Sequence, residues 1–139
     1  MIIDASVILR AFFPDEAQAN AQAILREHVA GSLVLKAPDL LPYELANAVW
    51  QAERRERISS DQANQIMQAI AGLQIETFPL DWGEMLPLAR RFGRSAYDAT
   101  YLALAEKLNE PLLTGDERLY HAVKTHLEWV QWVGNSNGA

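Results

Sequence analysis

Met1-Ile2-Ile3-Asp4-Ala5-Ser6 opens the chain, and Pro111-Leu112-Leu113-Thr114-Gly115-Asp116 repeats its grammar near the other end. In both, a short apolar run gives way to a carboxylate at a turn. Three apolar residues cannot make a helix but suit a strand buried on both faces. Two further runs, Leu33-Val34-Leu35 and Ile75 to Phe78, lie between them, and Trp129 to Val133 reads as an edge strand. The intervals carry helical spacing. Ser6 can cap a helix ended by Pro14, and Ala21, Ile24, Leu25 and Val29 continue a pattern that starts at Asp15 and stops at Gly31. Asp39 to Arg57, Ser59 to Gly72, Asp81 to Phe92, Ser95 to Leu108 and Glu117 to Lys124 supply the remaining helices. Strands alternating with helices predict an α/β fold, a central parallel sheet of four or five strands flanked by helices on both faces. No repeat or linker divides the chain, so residues 1–134 are expected to form one domain and 135–139 a frayed tail.

Composition narrows the chemistry. With 139 residues, half of them hydrophobic, the chain can bury a substantial core. It has no cysteine, which removes disulfides, thiolate catalysis and Cys-ligated zinc. Its three histidines lack a zinc-site spacing, and there is no G-x-S-x-G elbow or glycine-rich phosphate loop. No apolar run reaches membrane-spanning length and no basic stretch precedes an apolar one at the start, so the cytoplasm is the expected location. The formal charge of −6 argues against a protein that coats nucleic acid by neutralising phosphates. It leaves room for an acidic pocket beside a basic rim, and arginines do group at Arg54, Arg55 and Arg57 and at Arg90, Arg91 and Arg94. On helices such groups also serve as solvated faces.

Four acids hold the interest: Asp4, Glu44, Asp98 and Asp116. Asp4 can cap the following helix, although Ser6 offers a second cap that would free the carboxylate. Glu44 can be a first-turn glutamate favoured by the helix dipole, but Asn47 lies one turn on, and both sit among apolar residues. Ser95 to Asp98 resembles a capping box, and Asp116 can cap the helix from Glu117. Separate caps have no reason to converge on one sheet edge, whereas ligands of a metal ion must. Ligands of open parallel sheets gather beyond the carboxyl ends of the strands, where Asp4 and Asp116 fall. Like charges gathered there should not all stay ionised without a cation.

The blocks Met1 to Glu16, Ala37 to Trp50, Ser95 to Ala105 and Leu112 to Leu119 resemble, in order and spacing, the PIN-domain ribonucleases, specifically VapC-type toxins of toxin-antitoxin pairs. The resemblance implies a PIN-like three-layer fold and an acidic site at Asp4, Glu44, Asp98 and Asp116, supported by the hydroxyls of Ser6 and Thr114. It also implies a metal-dependent endoribonuclease acting on structured or single-stranded cellular RNA, with 5′ phosphate and 3′ hydroxyl products. A small antitoxin and a homodimer are the partners it suggests. Mg²⁺ or Mn²⁺ suits an all-oxygen site, with Asp4 and Asp98 as principal ligands and Glu44 and Asp116 completing the pocket. Two other readings stay open. One is a toxin-like binding domain that chiefly partners an antitoxin, with Phe12, Phe13 and Trp50 in an apolar groove or in the core. The other is an aspartate-based phosphotransfer enzyme, for which Ser6 stands where a second carboxylate is usual.

Overall fold

A computed structural model describes residues 1–15 and 18–134. The chain runs β1 (Ile2–Ile3), α1 (Ala5–Phe12), α2 (Ala19–Ala30), β2 (Lys36–Pro38), α3 (Leu41–Arg54), α4 (Ser60–Gly72), β3 (Glu76–Phe78), α5 (Met85–Phe92), α6 (Ala96–Leu108), β4 (Leu112–Thr114), α7 (Glu117–Val123) and β5 (Val130–Trp132). A 3-10 turn, Trp82–Glu84, leads into α5. All strand pairings are parallel, in the order β3-β2-β1-β4-β5.

Successive residues of a strand point to opposite faces, which sorts the core into two layers. Ile2, Leu112 and Val130, in register across three strands, pack with buried residues of α6 and α7. Ile3, Leu113 and Ala37 pack on the other face with α1 to α4. Helix α6 is buried at every position from Ala99 to Ala105, because it is wedged between the sheet and α5. No helix among the described residues is long and apolar enough to cross a membrane.

Two expectations shift. The second strand is not Leu33-Val34-Leu35 but Lys36–Pro38: Lys36 donates to Met1 and pairs with Ile2 and Glu76, while Val34 faces solvent. The ladder set by β1, not local hydrophobicity, fixes where this strand starts. The second helix begins at Ala19 after Gln18; Glu16 and Ala17 fall outside the described residues, as do 135–139. Ser59 and Gln62 close a reciprocal capping box at the start of α4. His28 bridges two segments. Its Nε2–H donates to the Leu73 carbonyl at 2.7 Å, while Nδ1 accepts from the Leu35 amide at 3.1 Å.

The topology leaves an opening at one edge. After β1 the chain turns to the α1 face, and after β4 it turns to the α7 face. Adjacent strands whose continuations part in this way leave a crevice beyond their carboxyl ends. Asp4 and Asp116 stand at its two lips, each capping the helix that departs.

Candidate acidic site

Asp4 is the most enclosed of the four acids, 6% exposed. Its Oδ1 accepts from the Ser6 hydroxyl and from the Val7 amide at 3.4 Å. Its Oδ2 accepts from the hydroxyl of Thr114, which is itself fully buried. Asp4, not Ser6, is therefore the cap of α1. The two candidate caps work together instead of releasing one another, because Ser6 inside the first turn turns its hydroxyl back onto Asp4. The same Ser6 oxygen accepts from the Gly115 amide at 2.8 Å, and Thr114 Oγ1 accepts from the Asp116 amide at 3.0 Å. Hydroxyls thus tie the end of β1 to the end of β4. Gly115 suits this close approach, since a Cβ there would lie 2.8 Å from Arg10 and 3.1 Å from Ser6 Oγ.

Burial pushes the Asp4 carboxyl up to about 6, against the three hydrogen bonds that favour its charged form; Asp116 adds a smaller upward push. Glu44, in the first turn of α3, is also raised, by burial first and by Asp98 after it. Asp98, in the first turn of α6, is raised by burial, with Arg94 opposing and Asp116 adding. Expected repulsion is present, linking Asp4 to Asp116, Asp116 to Asp98 and Asp98 to Glu44. Loss of water is nonetheless the larger cause at each of the three raised groups.

Four distant segments therefore bring their acids into one electrostatically connected rim. They do not form a closed cage: among the described residues no three acidic or histidine side chains already stand close enough to enclose an ion. The donor set still fits a hydrated hard cation, which binds through one or two carboxylates and keeps several waters. Asp4 Oδ2 keeps a lone pair beyond its bond from Thr114.

Tyr101, which the sequence did not single out, and Arg94, one of the grouped arginines, complete the rim. Tyr101, one turn after Asp98 and almost wholly buried, donates its hydroxyl to Glu44 Oε1 at 2.5 Å. Glu44 and Asp4 both push the Tyr101 hydroxyl up, after burial, so it remains a donor. Arg94 donates from Nε to Asp98 Oδ2 at 3.1 Å, and its Nη2 lies 3.0 Å from Asp98 and 3.9 Å from Asp116. Their spacing from Asp98, three residues after and four before, was the available signal. The Ser95 hydroxyl accepts from the Asp98 amide at 3.0 Å, but the Asp98 side chain turns to Arg94, so only half of a capping box forms.

Other expectations resolve differently. Asn47 does not share a buried stretch with Glu44; it is exposed, as is Trp50, because α3 presents that face to solvent. Phe13 is core. The arginine groups disperse: Arg57 pairs with Asp15 and lies over Phe13, Arg54 lies over Trp50, and Arg91 over Phe92.

Comparisons with known proteins agree with this architecture. The chain is 31% identical over 123 residues to Ribonuclease VapC3 of Pyrobaculum aerophilum, covering 86% of this chain and 91% of that one. It is 32% identical to Ribonuclease VapC1 of Mycobacterium tuberculosis, covering 85% and 86%. The crystal structure of PAE2754 from Pyrobaculum aerophilum superposes with a TM-score of 0.72 at 22% identity, over 97% of this chain and 84% of that one. Residues 1–124 match the family profile described as the PIN domain. Through that profile match and relatives above 30% identity over most of its length, the chain belongs to the PIN-domain family.

Proposed function

We propose that this protein is a metal-dependent endoribonuclease, the toxin of a toxin-antitoxin pair, and that Asp4, Glu44, Asp98 and Asp116 form its active site. The observation that carries the proposal is the rim itself: carboxylates from four separate segments, three of them held above their usual range, facing one crevice at a sheet edge. The relatives are named ribonucleases, and phosphodiester hydrolysis is chemistry that such a rim can support.

Asp4 and Asp98 would hold Mg²⁺ or Mn²⁺, with Asp116 and Glu44 completing the acidic pocket. Once bound, the ion supplies charge stabilisation at the phosphoryl oxygens and a more acidic water. Ser6 and Thr114 fix the Asp4 carboxylate, so its orientation does not depend on the ion. Tyr101 fixes Glu44, leaving the second carboxylate oxygen to orient a water for in-line attack. Arg94 offsets charge on Asp98 and Asp116 and stands at the lip, where a phosphate enters. Asn47, exposed one turn beyond Glu44, is a substrate-side group.

In this reading the RNA substrate is met in the cytoplasm, and a small antitoxin and a second copy of the chain are the protein partners. The test is cleavage of total cellular RNA by the purified chain in Mg²⁺ or Mn²⁺, with the new ends mapped. Cleavage yielding 5′ phosphates, abolished by EDTA, is the expected result. Cleavage that persists in EDTA sinks the proposal.

A further inference from the structure

Tyr43 and Tyr97 are 74% and 64% exposed, although they stand beside the rim that buries Asp4. With Leu40, Glu44, Asn47 and Ala48 they line one cleft of about 380 Å³. Tyr43 and Asn47 come from the first turns of α3 and Tyr97 from the first turn of α6, so the cleft lies between two helix starts. Glu44 belongs to both the cleft and the acidic rim. This size is at the small end for a ligand pocket and suits one base better than a duplex. The lining carries one carboxylate and no cation, which repels a phosphate and admits an uncharged ring. Two aromatic rings and an amide lining one cleft are groups that hold an unstacked base and read its edge.

The helix extends the pattern. Trp50 and Arg54 follow Tyr43 and Asn47 on the same face of α3, at seven and eleven residues from Tyr43. Trp50 is 52% exposed, with the Arg54 guanidinium 5.7 Å from its ring centroid. An aromatic platform leading to an exposed cation is what a single strand leaving the cleft would meet. A protein partner fits less well, because it would bury Glu44 and Asn47 and have to pair both.

We infer that this cleft is a nucleobase subsite. Tyr43 and Tyr97 stack an unpaired base next to the scissile phosphate, Asn47 reads its edge, and Trp50 takes a neighbouring base. The inference rests on the ribonuclease reading of the rim and names the side chains that hold a base beside its cut.

The test titrates the whole chain, in EDTA to prevent cleavage, with a fluorescein-labelled oligoribonucleotide, either alone or annealed to its complement. A second strand carries 2-aminopurine, whose emission falls on stacking. The single strand binds more tightly than the duplex, and binding quenches 2-aminopurine. Tyr97→Ala and Tyr43→Ala each weaken binding about tenfold and lose the quenching, while Tyr97→Phe and Tyr43→Phe stay within about twofold of wild type. Mn²⁺ affinity is unchanged in all four variants, and thermal melts verify that they fold. Equal binding of single strand and duplex overturns the inference, as do alanine variants that bind like wild type. Alanine variants with intact RNA affinity but an altered sedimentation coefficient give this face to a second copy instead. A wild type that cleaves RNA in Mg²⁺ while the alanine variants behave identically sinks the subsite alone. A wild type that neither binds nor cleaves RNA sinks the ribonuclease reading with it.

Discussion

The two ends of the central strands handle charge in opposite ways. At the amino ends, Glu110 sits between two cations, the amino terminus and Lys36, each at 2.5 Å. Its carboxyl is held below the usual range, by the Lys36 hydrogen bond first and the amino terminus next. At the carboxyl ends, Arg94 reaches two of four carboxylates, and Asp4, Glu44 and Asp98 are all held above their usual range. One end is electrostatically settled and contributes to holding the sheet together. The other keeps charge in a dehydrated place where a cation relieves the cost, a pattern that marks sites of function.

The largest effect that can break this contrast is at Asp98. Asp98→Asn keeps the shape of the side chain but removes its charge. RNA cleavage should fall about a thousandfold, roughly 4 kcal/mol of transition-state stabilisation, together with a loss of Mn²⁺ affinity in calorimetry. Full cleavage by the variant would move Asp98 back to a helix-end role.

How the two ends arise was only partly visible in the residues. Ile2-Ile3 and Leu112-Leu113 announce buried strands, and the acids after them follow from chain order alone. The partners of those acids do not. Thr114 reaches Asp4 across 110 residues and Tyr101 reaches Glu44 across 57, contacts that depend on strand register and helix packing rather than local pattern. Register likewise moved the second strand from Leu33-Val34-Leu35 to Lys36–Pro38, since a ladder can begin at a lysine whose amine finds Glu110. Trp50 reads as core by composition yet is half exposed, because burial depends on which face of α3 the sheet covers.

A second prediction uses pH. Between its ordinary 3.8 and about 6, folded Asp4 holds a proton that the unfolded chain has released. This group therefore favours folding most at low pH, and its contribution fades as pH rises through 6. Glu44 and Asp98, also raised, act in the same direction. Metal-free protein should be more stable near pH 5 than at 7.5, by about 1.4 kcal/mol from Asp4. Chemical denaturation at the two pH values measures this. Saturating Mg²⁺ and Asp4→Asn should each flatten the trend, and a metal-free protein most stable at pH 7.5 would count against a dehydrated Asp4.

Thr114→Val is the next largest. It removes a donor to Asp4 and the acceptor for the Asp116 amide, at a cost of about 1–3 kcal/mol. Without that donor the Asp4 carboxyl rises further, so Mn²⁺ binds more weakly at neutral pH. Thr114→Ser keeps the hydroxyl and should restore both stability and affinity. If serine fails where valine fails, the methyl group and its packing are what Thr114 supplies.

The smallest effect belongs to the settled end. Glu110→Gln breaks two partly exposed ion pairs that solvent screens, so the loss should be about 0.5–1 kcal/mol at neutral pH. Because this carboxyl is lowered in the folded state, its contribution is present above its ordinary 4.5 and fades as pH falls. The stability gap between wild type and variant should thus close on acidification, opposite in sign to the trend from Asp4. Cleavage and Mn²⁺ affinity should not change, since Glu110 lies at the far end of the strands. A Glu110→Gln variant that lost metal affinity would couple the two ends through β1 and erase the division between them.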